Sequence, residues 1–251
     1  MDVDLDLFVR SELAQIRAAA QDSAASLADA LRRLVALAGD LGSPELLEWA
    51  ERELAGYGRV PGDEMPDYRL PPSPVVMDFV SRAGIAHGFA VTPYLVGDAL
   101  YEEISQSQVR SGVRQLEAIA AGSEPLRLAL PLQGELMRLI AGRLDQPVNI
   151  QRIYWTLPPH VILAVLDQIR TRLIKMLSTY TLAVRSAPPV EAAREALTVV
   201  VGPGATVNIP DGAHFALRTP RWRTAVAAAA WFVGTALTGL GAYFAWLQVS
   251  S

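Results

Sequence analysis

The sequence predicts an α+β fold in three parts. Residues 1–186 read as a predominantly α-helical soluble domain with a few short strands. Residues 187–220 read as a linker helix and a small β module. Residues 221–251 read as one C-terminal transmembrane helix with a short tail. Three observations predict this order. Apolar residues recur at helical spacing through most of the first part. Short β-branched stretches are punctuated by glycine and proline in the second. In the third, Ala225 to Leu247 is a 23-residue run without a charge, long enough to cross a hydrocarbon core.

The elements follow in chain order. Leu5–Ala20 and Ser23–Ala38 have helical periodicity, the second with Leu27, Leu31, Leu34 and Leu37 on one face and Gly39 and Gly42 at its end. Ser43-Pro44-Glu45 is a helix start, with a capping hydroxyl, proline in the first turn and an acid behind it. That helix is expected to run to about Tyr57, with Leu46, Trp49, Ala50, Glu53, Leu54 and Tyr57 crowding one side and Glu48 paired to Arg52 at i,i+4. Gly58–Pro74 is a proline-rich loop. Val75–Val80 and Ile85–Val91 form an expected hairpin around Arg82-Ala83-Gly84. Short helices are expected at Tyr94–Ile104, Val109–Ala120 and Leu132–Leu144, and a strand at Val148–Thr156.

Pro158 and Pro159 open a long helix from about His160 to Val184, striped by Ile162, Leu166, Ile169, Leu173, Met176 and Tyr180. After Pro188 and Pro189 comes a short helix, Val190–Leu197. Thr198–Val201, Ala205–Ile209 and Ala213–Leu217 then read as β-like, separated by Gly202-Pro203-Gly204 and Pro210-Asp211-Gly212. They pair either within one chain or between chains.

Composition narrows the function. The net charge of −4 offers no global basic field for nucleic acid. With no cysteine there are no disulfides, thiolate metal sites or cysteine nucleophiles. His87, His160 and His214 do not share metal-ligand spacing, so no metal and no cofactor is expected. No glycine-rich phosphate loop, nucleophile elbow or zinc-protease motif occurs, and Glu102 and Glu103 are adjacent and so diverge on a helix. The chain is therefore expected not to be an enzyme. Asp2, Asp4 and Asp6 are the reverse of a secretory leader. Arg218, Arg221 and Arg223 before the apolar run place the N-terminal part in the cytoplasm and the short tail outside. Trp222, Tyr243 and Trp246 suit the two interfaces. Ala230, Gly234, Thr238 and Ala242 recur every fourth residue, with Thr235 and Gly241 beside them. Such a ridge serves either helix packing in a homo-oligomer or a plain anchor.

One stretch carries a family pattern. Leu46-Leu47-Glu48-Trp49-Ala50-Glu51-Arg52-Glu53-Leu54-Ala55-Gly56-Tyr57, followed by Met65-Pro66-Asp67-Tyr68-Arg69, resembles the AbiTii domain of bacterial abortive-infection proteins. Ile169-Arg170-Thr171-Arg172-Leu173-Ile174 is similar to the start of that family's long helix, with Lys175 and Met176 departing from its acid and aromatic. The resemblance covers roughly Ser23 to Arg185. It implies phage defence in which the infected cell dies or stops growing, and supplies no catalytic residue. Trp49, Glu53, Gly56, Tyr57, Tyr68 and Arg69 are read as a structural clamp in which Arg69 pairs with Glu53 and the tyrosine hydroxyls bond backbone groups.

Joined together, these readings imply a triggered effector that oligomerises at the membrane and disrupts it or forms an ion-conducting pore. The trigger would be a nucleotide or single-stranded oligonucleotide made by a partner nucleotidyltransferase, held at Arg152, Arg170, Arg172 and Lys175. An anchored adaptor for a partner protein and an enzyme with an unfamiliar site are the alternatives.

Overall fold

The structure, a computed structural model, describes residues 3–41, 43–144 and 147–201. The described chain forms two compact units. One is helical and takes the chain up to Pro71, Gln108–Pro125 and the chain from Pro158; the other, built on a sheet, takes Pro72–Ser107 and Leu126–Leu157.

In the helical unit, α1 spans Val3–Gln21, α2 Leu27–Asp40 and α3 Pro44–Ala55. The second helix starts later than its periodicity suggests. Ser26 is its N-cap, accepting from Asp29 N, and the Glu117 carboxylate accepts from Leu27 N at 2.6 Å and from the Ser26 hydroxyl. Ser43 makes no side-chain capping bond; Pro44 alone marks the start of α3. The expected proline-rich loop contains two single 3-10 turns, Gly62–Glu64 and Asp67–Arg69.

Helix α3 ends at Gly56, whose φ of 90° is left-handed. A Cβ there would lie 2.3 Å from the Arg110 carbonyl, so only glycine lets the strand-like bridge between Gly56 and Ser111 form. Arg110 closes the loop after Gly56 by donating to the carbonyls of Tyr57 and Val60, at 2.7 and 2.6 Å.

The rest of the unit's helices complete its core. They are α6 (Val113–Ala120), α8 (Pro159–Ala183) and α9 (Pro189–Val201); α4 (Pro93–Val96), α5 (Asp98–Ile104) and α7 (Gln133–Ala141) belong to the second unit. The stripe of α8, with Ile162, Ile169, Leu173 and Met176, is buried as its spacing predicts, and α9 packs along α8. Thr198–Val201, expected as β, instead continues α9. The β-branched run favours a strand locally, but the helix begun at Pro189 carries through it. The other expected members of the β module, Ala205–Ile209 and Ala213–Leu217, and the apolar run Ala225–Leu247 lie outside the described residues. No helix among the described residues is long and apolar enough to cross a membrane.

In the second unit, β1 (Val75–Ser81), β2 (Gly84–Ala90), β3 (Leu126–Ala129) and β4 (Asn149–Leu157) form an antiparallel sheet in the order β2-β1-β4-β3. The hairpin β1–β2 is where alternation places it; β3 is a strand that the sequence reading lacks. Val75, Met77, Ile153, Trp155 and Leu157 make the buried face, and α7 (Gln133–Ala141) packs on β4. Trp155 Nε1 donates to Ile104 O at 2.6 Å, tying that face to α5 (Asp98–Ile104). The single helix expected at Tyr94–Ile104 is broken into α4 (Pro93–Val96) and α5, because Gly97 sits at φ 90° between them.

Candidate functional site

The AbiTii-like motif folds into one buried polar cluster in the helical unit. Its centre is Glu53, on the same face of α3 as Leu46, Trp49 and Ala50, with its side chain 0% exposed. Arg69, in the second 3-10 turn and equally buried, pairs with Glu53 Oε2 through Nη2. Arg69 Nη1 donates to Ser111 O at 2.8 Å. The Tyr57 and Tyr68 hydroxyls both donate to Glu53 Oε1, at 2.5 and 2.7 Å, rather than to the backbone groups expected of them. Trp49 Nε1 donates to the Tyr68 oxygen at 3.3 Å.

The cause is economy of partners: a buried carboxylate must be satisfied by several donors, and the tyrosines are the nearest. Burial, reinforced by the adjacent Glu53 charge, pushes both tyrosine hydroxyls above their ordinary range, so they stay protonated donors. The Arg69 guanidinium lies 5.1 Å from the Tyr57 ring centre, and the Arg172 guanidinium 4.1 Å from that of Tyr68. The cluster joins α3, the following loop, residues 109–111 and α8 into one piece. Its side chains bond mainly to one another and to the carbonyls of residues 109 and 111, which suits a clamp.

The four basic residues proposed to hold a ligand fall in both units. Arg170, Arg172 and Lys175 lie on α8; Arg152 lies on β4. Arg170 spans the carbonyls of Ala19, Asp22 and Ala25, at 3.2, 3.0 and 2.5 Å, and so caps the end of α1. Arg172 covers Tyr68 and reaches Gln168 Oε1 at 3.2 Å. Lys175 is exposed. Arg152 Nε bonds Asp78 Oδ2 at 2.5 Å. An open groove of about 590 Å³ runs beside Arg170, lined by Ala24, Ala25, Ala121 and Leu163, with Arg114 and Glu117 at one side. Ala230, Gly234, Thr235, Thr238, Gly241 and Ala242 lie outside the described residues.

Sequence reasoning missed Glu117 and Asp78. Glu117 looks like any acid on an amphipathic helix. Asp78 carried a readable signal, since it is the one charge in the apolar strand Val75-Val76-Met77-Asp78-Phe79-Val80.

Fold and cluster define an α+β protein whose helical unit is locked by a buried carboxylate. The chain belongs to the AbiTii family, whose model matches residues 12–186. That span contains the whole Glu53 cluster. No curated protein and no solved structure matches the chain. The family suggests a part in abortive-infection phage defence.

Proposed function

We propose that this AbiTii chain is a non-enzymatic defence effector that oligomerises at the bacterial inner membrane and permeabilises it when triggered. The observation that carries this reading is the uncharged run Ala225–Leu247, preceded by Arg218, Arg221 and Arg223. Its ridge of Ala230, Gly234, Thr238 and Ala242 lets identical helices approach closely in lipid. Thr235, Thr238 and the backbone at Gly241 would line or gate an opening. The trigger in this reading is a nucleotide or oligonucleotide signal from a partner nucleotidyltransferase, bound by the part of the chain before the apolar run.

The test follows membrane potential with a voltage-sensitive dye in bacteria under phage challenge. The full chain is compared with a truncation ending at Leu217 and with a variant carrying Gly234→Leu, Thr238→Leu and Ala242→Leu. Depolarisation by the full chain alone is the expected result. Protection that survives the triple substitution, with the potential held, would replace the pore with a membrane-tethered adaptor that binds a partner protein.

A further inference from the structure

The sheet of the second unit carries a device that the membrane reading does not use. At Asp78 both neighbours of β1 bulge. On β2, His87 and Gly88 together oppose Asp78, because Met77 pairs with Phe89 and Phe79 with Ala86. On β4, Asp78 pairs with Arg152 but Phe79 with Ile150, leaving Gln151 as the extra residue. Paired bulges of this kind re-aim side chains. The Asp78 carboxylate, 3% exposed, pins both. It accepts from Gly88 N at 2.8 Å, from Arg152 Nε at 2.5 Å and from the Tyr154 hydroxyl at 3.0 Å, with His87 Nδ1 3.5 Å away.

Arg152, in contrast, is 52% exposed, so Asp78 holds only its Nε and leaves the rest of the guanidinium facing out. Arg127, from β3, shares this face: it pairs with Thr156, two residues from Tyr154. Both guanidiniums lie 5.4 Å from the Tyr154 ring centre. Arg127 is exposed and makes no hydrogen bond or ion pair among the described residues.

We propose that Arg127 and Arg152, set by Asp78 and Tyr154, form a phosphate-binding site for the backbone of a single-stranded oligonucleotide. This rests on the nucleotide-signal reading above; it keeps Arg152 and puts Arg127, on the same face of the sheet, in place of the α8 residues. Guanidinium forks match phosphate oxygens in geometry as well as charge. Two fixed arginines suit discrete phosphates. An anionic bilayer is instead held by clusters of about four to eight basic residues. Asp78 is a positioning residue in this site.

The experiment measures anisotropy of a short end-labelled single-stranded DNA with the full chain in detergent, across a salt series. Arg127→Gln and Arg152→Gln are each expected to weaken binding about tenfold and to flatten the slope of log K against log salt by about 0.7 per lost contact. Arg138→Gln, on α7 of the same unit, removes one charge as a control and should leave the slope unchanged. Asp78→Asn adds net positive charge, so diffuse attraction predicts tighter binding and positioning predicts weaker. Arg127→Gln carries the test whatever Asp78→Asn does to folding. If Arg127→Gln binds like the control, the site is wrong and the nucleotide reading stands. If no chain binds the DNA, both fail. If the two arginines instead retain vesicles containing anionic lipid, the site serves a headgroup and the proposal is overturned.

Discussion

The two units each contain a carboxylate, an arginine and tyrosine, and they use the same groups in opposite ways. Around Glu53, the carboxylate and the arginine are both 0% exposed, and two tyrosine hydroxyls point inward at one oxygen. Around Asp78, the carboxylate is 3% exposed but its arginine is 52% exposed. The first cluster buries both charges and pairs them inside the unit, while the second buries the anchor and presents the cation. A buried ion pair gains little net stability over apolar residues of the same shape, because both charges lose their water. What it does is penalise every arrangement in which one partner is missing. The Glu53 cluster therefore fixes one geometry between α3 and the loop after it, and the Asp78 cluster fixes where a guanidinium points.

The largest expected effect lies at the buried pair. Arg69→Met leaves Glu53 charged or protonated without its main partner and is expected to destabilise the protein by about 3–5 kcal/mol. Combining it with Glu53→Leu removes the unpaired charge but orphans the Tyr57 and Tyr68 hydroxyls, so it should recover only part of that loss. Urea unfolding of the single and double variants reads both numbers. A loss below about 1 kcal/mol for Arg69→Met would mean that the two clusters do not differ in the way described. Next come the hydroxyls. Tyr57→Phe and Tyr68→Phe each remove a donor to a carboxylate and are expected to cost about 1.5–3 kcal/mol, less than additively because both serve Glu53 Oε1.

How much of this was legible in the sequence depends on how local the cause is. The α8 stripe and the β1–β2 hairpin follow from periodicity within one segment. The pairing of Glu53 with Arg69 was readable because motif residues were spaced on one helix face and one short loop. The tyrosine partners were not, since which acceptor a hydroxyl finds depends on the turn that carries it back. Strand β3 has only four residues, Leu126–Ala129, and gains its identity from pairing with β4. The break at Gly97 and the close approach at Gly56 need backbone angles that a residue name permits but does not require. Thr198–Val201 was misread because propensity was the only evidence there. The double bulge at Asp78 arises from three strands together, so no single strand's alternation reveals it.

A third prediction separates the clusters by pH. Burial alone would raise the Asp78 carboxyl, but the hydrogen bonds from Gly88, Arg152, Tyr154 and His87 outweigh it and hold the group well below the ordinary carboxylate range. Its folded value is depressed, so the stability it contributes is present above the unfolded value near 3.8 and is lost as pH falls below that. Unfolding free energy measured from neutral pH down to acid should therefore decline less in Asp78→Asn than in the parent. Equal acid slopes would show that the four donors do not favour the ionised form.

The smallest effect sharpens the comparison most, because it keeps the helix and changes only exposure. Glu48 and Arg52 pair on α3, one turn before Glu53, with side chains 41% and 52% exposed. The charges match those of Glu53 and Arg69, and both glutamates belong to the same twelve-residue helix. Water already solvates this pair, and forming it restrains two long side chains, so an exposed i,i+4 pair contributes only about 0.3–0.5 kcal/mol. Glu48→Gln should lower stability by that amount at low salt and by nothing measurable at 1 M salt, where the screening length is about 3 Å. The loss from Arg69→Met should hardly change over the same range, since no mobile ion reaches a pair that is 0% exposed. If the two losses fade together with salt, burial is not what separates the roles, and the contrast between clamp and presented cation loses its physical basis.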